Sequence, residues 1–321
     1  MGRIILADAL EGLGLLEAGS CRTCVTFPPY WQLRDYGTPG QIGLEPTPEE
    51  YIARLVEVFR EVRRVLSDDG TLWVNIADTY AGSRAGKGDT KTDNKLNTRS
   101  RIEKSCIVPD GMKPKDIVGI PWMLAFALRD DGWFLRQDIV WNKANCMPES
   151  VRDRCTRSHE YIFLLSKQRR YFFDAAAIAE TIAESTANDG RFIRGDFTEN
   201  RPARGFIGRG GKGNGMLKSR KAGYRNKRDV WTIPSSNYSE AHFATFPPDL
   251  IRPCILAGSA KGDTVVDPFF GSGTTGVVAF EECRDFVGID NKPAYVELSE
   301  RRTAEAMAQG RYENTLMDLM R

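Results

Sequence analysis

The stretch that most constrains this chain is Asp267-Pro268-Phe269-Phe270-Gly271-Ser272-Gly273-Thr274-Thr275-Gly276. Residues 264–266 before it are strand-forming, and the apolar run ending near Phe280 is helical, so the backbone must turn from a buried strand into a helix through glycines. Such a turn lets the main chain approach a ligand closely. The next predicted strand, residues 286–289, closes on Asp290, whose carboxylate can accept hydrogen bonds from both hydroxyls of a ribose. The pair suits a ribose-bearing cofactor at the edge of an α/β sheet. A phosphate loop fits less well, because the turn is neither G-x-G-x-x-G nor G-x-x-x-x-G-K-[ST] and holds no lysine.

The rest of the pattern agrees with an α/β sheet. Residues 21–27 form a β-rich run that must stop at Pro28-Pro29, since proline lacks the N–H that a ladder needs. Residues 49–66 carry a helical stripe (Tyr51, Ile52, Leu55, Val56, Phe59, Val62) that ends near Asp68-Asp69-Gly70. Strands are predicted at 71–76, 134–141 and 161–166, and helices at 121–128, 247–257 and 295–309, giving the alternation of a doubly wound sheet. No run reaches about 18 apolar residues and the N-terminus has no signal-peptide pattern, which predicts a soluble, cytoplasmic protein.

The turn is similar to the DPF-x-GSGTT motif of the S-adenosylmethionine-dependent DNA amino-methyltransferases. By that resemblance Asp267, Pro268, Phe269, Gly271, Ser272, Gly273 and Thr274 surround the cofactor, S-adenosyl-L-methionine. Asp290 would hold the ribose, Asp8 would contact the adenine, and Phe246-Pro247 would line the same pocket. Thr26-Phe27-Pro28-Pro29-Tyr30-Trp31 resembles the same family's (Asp/Asn/Ser)-Pro-Pro-Tyr motif, in its Ser-Pro-Pro-Tyr-Trp branch. With the catalytic motif first and the cofactor motif last, the order resembles the permuted β group. Residues 138–143, 158–163 and 228–234 are similar to that group's intermediate segments.

The resemblance implies a Rossmann-like methyltransferase sheet with permuted motif order and an inserted DNA-recognition region. Residues 1–173 would be its catalytic part, 174–230 the target-recognition insertion and 231–321 the cofactor part. It implies methyl transfer to an exocyclic amine of a base flipped from the duplex. That lone pair is delocalised into the ring, and rigid carbonyls of a Pro-Pro segment can accept the amine hydrogens and localise it. Tyr30 would stack on the base. Phe27 departs from the pattern, because the family carries a side-chain acceptor there; Thr26 is the nearest hydroxyl. The flanking Thr-x-Pro-Pro-Tyr-Trp context favours cytosine N4. The alternatives are adenine N6 and a DNA-binding homologue silenced at Phe27; methylation of RNA or protein glutamine fits the motif order less well. Cytosine C5 is disfavoured, since Pro253-Cys254 falls in a predicted helix and reads as packing.

Charge supports the DNA reading only when resolved along the chain. The 45 Lys+Arg and 43 Asp+Glu leave a net charge of +2. Residues 191–228 hold twelve basic residues against two acidic ones, and residues 82–116 nine against five. The remainder is therefore acidic, at −12. Arg204, Arg209, Lys212, Lys218, Arg220, Lys221 and Arg225 are the expected DNA contacts, with 82–116 a second DNA-facing loop. Double-stranded DNA is thus the expected partner; a homodimer and a cognate restriction endonuclease are compatible with the resemblance. Seven cysteines, an odd number, read as reduced thiols. Cys21-x-x-Cys24 reads as buried strand thiols with no second pair for zinc, so no metal is expected, and His159 reads as structural.

Overall fold

Strand β2 (Cys21–Thr26) lies in the middle of the sheet, because its neighbours leave it nowhere wet: Cys21, Thr23, Cys24, Val25 and Thr26 are all buried. The computed structural model describes residues 2–38, 40–82, 108–181, 224–235 and 246–319. Two units are distinguished, Met1–Phe173 with Asp229–Arg321, and Asp174–Arg228.

Among the described residues the first unit has an eight-stranded sheet. Its members are β1 (Arg3–Leu6), β2, β3 (Leu66–Ile76), β4 (Phe134–Asn142), β5 (His159–Ser166), β8 (Val230–Thr232), β9 (Thr264–Asp267) and β10 (Asp285–Asp290). They lie in the order β1-β10-β9-β2-β3-β5-β4-β8. Only β5 runs against the others: it pairs antiparallel with both β3 and β4, while the remaining pairs are parallel. The carboxyl ends of β1, β10, β9, β2, β3 and β4 therefore share one edge, where ligands of open α/β sheets bind.

Helices α1 (Ala9–Gly14), α2 (Pro48–Val65) and α3 (Ile120–Asp130) pack side by side, and α4 (Pro248–Gly258), α5 (Thr274–Glu281) and α6 (Pro293–Leu319) form a second such layer. The β3 side chains alternate accordingly. Leu72, Val74 and Ile76 join the core under α2 and α3, where Tyr51, Leu55, Phe59 and Val62 are fully buried, while Trp73 faces the other way. Helix α2 is well signalled: Thr47 caps it by accepting from the Glu50 N–H at 3.2 Å, and Pro48 occupies the first turn.

Several expected boundaries shift. Helix α2 stops at Val65, and β3 begins at Leu66 rather than Thr71. The intervening residues are absorbed by a bulge: Cys21 pairs with Leu66, and two residues later Thr23 pairs with Thr71. The elements β1 and α1 are additions to the predicted pattern. The thiols of Cys21 and Cys24 are buried strand residues and Cys254 is buried in α4. No helix of the described residues is long and apolar enough to cross a membrane, and no described cluster could hold a metal.

In the second unit the described residues form a two-stranded antiparallel ribbon, β6 (Glu180–Thr181) and β7 (Tyr224–Arg225). Arg225 donates to Glu180 at 3.1 Å, and Lys227 and Arg228 pair with the same carboxylate. The other expected DNA contacts, Arg204 through Lys221, and most of the 82–116 loop lie outside the described residues.

Candidate active site

The carboxyl ends of β1, β2, β9 and β10 converge on one cavity of about 380 Å³. Asp8, Phe27, Pro28, Pro29, Tyr30, Phe246, Pro268, Phe269, Gly271, Ser272 and Asp290 all line it. The first five come from the beginning of the chain and the other six from residues 246–290, and the parallel pairing of β2 with β9 brings them together. Thr26, Pro247, Asp267, Gly273 and Thr274 do not reach the cavity wall.

Thr26 and Asp267 instead form the clamp beneath it. Both are 0% exposed, and the Thr26 hydroxyl donates to Asp267 Oδ1 at 2.6 Å. The same carboxylate accepts the Phe269 N–H at 3.0 Å and the Thr275 hydroxyl at 2.7 Å. The sequence offered Thr26 as a substitute acceptor beside Phe27; here its hydroxyl is committed to Asp267. Burial outweighs the three hydrogen bonds and pushes the Asp267 carboxyl up to about 6.

The glycine turn shapes another part of the wall. Gly271 and Gly273 sit at φ +51° and +80°, which side chains rarely adopt. Gly288 is also required, since a Cβ there would lie 2.3 Å from the Phe270 ring. Asp290 closes β10 and fixes the turn: one carboxylate oxygen accepts the Gly271 N–H at 2.8 Å, the other the Lys292 N–H at 2.9 Å. Each oxygen keeps a second lone pair for a ligand hydroxyl. Burial raises the Asp290 carboxyl above its usual range. Asp8 follows the end of β1 one strand away and caps α1 through the Leu10 N–H at 2.9 Å.

The Pro28-Pro29 segment of the same wall is braced from below. The buried Tyr51 hydroxyl of α2 donates to the Pro29 carbonyl at 2.7 Å, whereas the Pro28 carbonyl accepts no hydrogen bond from the described residues. Trp31 is buried and donates its indole N–H to the Glu45 carbonyl at 2.9 Å. The Phe27 ring stacks on Phe246, with centroids 3.8 Å apart and planes at 15°.

Tyr30 reaches into a network that the sequence does not signal. Its hydroxyl lies 2.7 Å from Asn75 Oδ1 and 2.6 Å from Glu160 Oε2, and burial, reinforced by the Glu160 charge, raises its pKa well above the usual value. Glu160 Oε1 in turn pairs with the Lys143 ammonium, which sits 4.6 Å over the Trp141 ring. Asn75, Trp141, Lys143 and Glu160 belong to three strands or their ends; the last three fall in segments 138–143 and 158–163, to which the sequence assigns no site role. Only the register that sets Trp141 opposite Glu160 unites them. His159 does not join this site; its ring packs edge-on against Tyr161.

A mostly parallel sheet with a glycine turn, an acidic strand end and a Pro-Pro-Tyr segment in one carboxyl-edge cavity defines a Rossmann-like group-transfer fold with a nucleoside-type cofactor pocket. The chain belongs to the DNA methylase family of N6/N4 methyltransferases, which matches residues 21–301. It is 47% identical to the Type II methyltransferase M.Cfr9I of Citrobacter freundii, over 92% of this chain and 85% of that protein. Among solved structures it is similar to PvuII DNA methyltransferase (cytosine-N4-specific), with a TM-score of 0.61, 20% identity, and coverage of 93% of this chain and 85% of that one. It also resembles a putative DNA modification methylase of Thermus thermophilus, TTHA0409, complexed with S-adenosyl-L-methionine, with a TM-score of 0.58 and 22% identity over 95% and 94% of the two chains.

Proposed function

We propose that the chain is a Type II DNA methyltransferase that moves a methyl from S-adenosyl-L-methionine to N4 of a flipped cytosine in double-stranded DNA, and that it is paired with a restriction endonuclease of the same specificity. The observation that carries this reading is the convergence of Pro28, Pro29 and Tyr30 with Phe269, Gly271 and Asp290 on one cavity.

The wall suits the cofactor. Carboxylates at Asp8 and Asp290 and the rings of Phe27, Phe246 and Phe269 match a cationic, hydroxyl-bearing nucleoside, and the cavity lies in the ordinary range of about 300–1,000 Å³ for such ligands. Asp290 would hold the ribose, Asp8 the adenine, and the 268–272 turn the amino-acid part. When bound, the cofactor supplies an electrophilic methyl on a sulfonium.

The protein's contribution is placement and hydrogen bonding. Pro28, with φ fixed by its ring and no competing donor on its carbonyl among the described residues, presents that oxygen to an amine hydrogen and draws the nitrogen lone pair out of the base. Tyr51 keeps the segment from turning by holding the Pro29 carbonyl. Tyr30, pinned at its hydroxyl, offers its ring to the base. Phe27 brings no side-chain acceptor, so the backbone carries this task and its ring packs the wall with Phe246. The surplus proton leaves to water. Basic residues of the 174–230 and 82–116 segments contact phosphates.

The test is transfer of labelled methyl from S-adenosyl-L-methionine to duplex DNA, followed by digestion to nucleosides. Label in N4-methylcytosine is expected. Label only in N6-methyladenine overturns the cytosine assignment, and transfer to RNA or protein but to no duplex overturns the DNA reading.

A further inference from the structure

From the Lys143–Glu160–Tyr30 network we infer that Lys143 is the residue that recognises the target base as cytosine, by donating a hydrogen bond to its O2. The inference rests on the methyltransferase reading above and deepens it. On the edge that a flipped base shows, cytosine and adenine both offer an amine next to a ring-nitrogen acceptor. They differ at the third position, where cytosine has a carbonyl and adenine a C–H. A pocket that selects cytosine over adenine by hydrogen bonding therefore needs a donor two positions along from the amine.

Lys143 meets that need. It lines the same cavity as Pro28 and Tyr30, and its side chain keeps 26% of its exposure. Its backbone is fixed by the N–H to the Ser158 carbonyl at 2.7 Å, just beyond the β4–β5 pairing. Trp141 and Lys143 are two residues apart and so face the same way, and Glu160 pairs across from Trp141. The indole is itself held, buried, by its N–H on the Ile233 carbonyl at 2.8 Å. The ammonium thus has a fixed carboxylate partner and an aromatic face, and with three N–H donors it retains capacity for a ligand carbonyl. Glu160, 9% exposed at its side chain, is joined through 2.6 Å to the Tyr30 hydroxyl, which ties the donor to the ring proposed to stack on the base.

The other cations in the wall, Arg34 and Lys292, sit by Tyr295: Arg34 hydrogen-bonds Tyr36, whose ring packs edge-on against Tyr295. Lys292 follows Asp290 by two residues and lies 4.9 Å over Tyr295, at the cofactor end. Glu160 matters equally, because the carboxylate allows a charged lysine to stand in a largely enclosed site.

The experiment compares the native chain with Lys143→Met and Lys143→Gln on duplexes carrying cytosine or 2-thiocytosine at the target, where sulfur is the poorer acceptor. Methylated nucleosides are identified in every case, and cofactor affinity and thermal unfolding are measured alongside. The native chain should methylate cytosine and lose about 10- to 100-fold in kcat/KM on 2-thiocytosine, as expected for a hydrogen bond to a charged donor. Lys143→Met should lose a similar factor on cytosine and treat the two bases alike, with cofactor affinity unchanged. Lys143→Gln, which can still donate to Glu160, should narrow the ratio and provides the answer if the Met variant does not fold. An unchanged cytosine-to-thiocytosine ratio in the variants overturns the role of Lys143 while leaving the methyltransferase reading intact. Native transfer confined to adenine overturns both the role of Lys143 and the cytosine assignment, and is seen before any variant is made.

Discussion

Asp267→Asn should remove a pH dependence of stability that the native chain carries in the acid range. Asp267 is fully buried, and its carboxyl is raised from 3.8 to about 6, chiefly by burial. A carboxyl raised in the folded state binds more protons folded than unfolded between those two values, so stability falls as pH rises through that window. The shift of about 2 pH units corresponds to about 3 kcal/mol lost in full by pH 7. About 2 kcal/mol of it is lost between pH 4.5 and 7.5. Asparagine keeps the shape: its oxygen accepts from Thr26 and Phe269, and its amide can donate to the Thr275 hydroxyl, which can rotate to accept. Urea unfolding of both proteins across pH 4.5–7.5 isolates this group, because other titrating groups contribute equally to each. The native-minus-variant stability should decline by about 2 kcal/mol with rising pH. A flat or rising difference would refute the claim that desolvation outweighs three hydrogen bonds at this carboxylate.

Tyr51→Phe deletes the brace on the Pro29 carbonyl and should cost about 1 kcal/mol of stability with a several-fold lower kcat at unchanged cofactor affinity; a silent variant in single-turnover transfer contradicts the brace. Phe27→Ser restores a side-chain acceptor beside Pro28 and should raise the transfer rate, while loss of the Phe246 stack costs about 1 kcal/mol in chemical unfolding; a slower enzyme would show that the backbone carbonyls suffice. Asp290→Ala removes the acceptor for Gly271, Lys292 and the proposed ribose hydroxyls, so S-adenosyl-L-methionine should bind about 10- to 100-fold more weakly by calorimetry, and equal binding would displace the ribose assignment.

What could be read in advance divides by how local its cause is. The glycine turn, the Pro-Pro stop and the α2 stripe announce themselves because a positive φ, a missing N–H and a helical period are each properties of a few consecutive residues. The end of α2 did not, because residues 66–70 read as a helix exit until the bulge opposite Cys21 and Thr23 makes them strand. β1 is four residues long and holds its place only by pairing with β10. The Tyr30 network was invisible for the same reason: Asn75, Glu160 and Lys143 acquire meaning only from β5 lying reversed between β3 and β4. Thr26, the hydroxyl closest in sequence to the Pro-Pro segment, points away to Asp267, a partner 241 residues distant.

That distance explains how a chain with its Pro-Pro segment first and its glycine turn last can build one cavity. In an open sheet the position of a loop is set by the strand it follows and by the neighbours of that strand, and the order of strands along the chain enters only through their connections. β2 and β9 are adjacent and parallel, with Thr23 beside Val265 and Cys24 beside Val266, so both loops emerge at the same edge. The Thr26–Asp267 bond then locks the last residue of one strand to the last residue of the other, and the same carboxylate holds Phe269 and Thr275 of the glycine turn. Any displacement of the Pro-Pro segment relative to the turn must therefore break hydrogen bonds to a buried carboxylate. Under the proposed function, the alignment that direct methyl transfer requires would reside in this clamp below the cavity, outside the residues that line it.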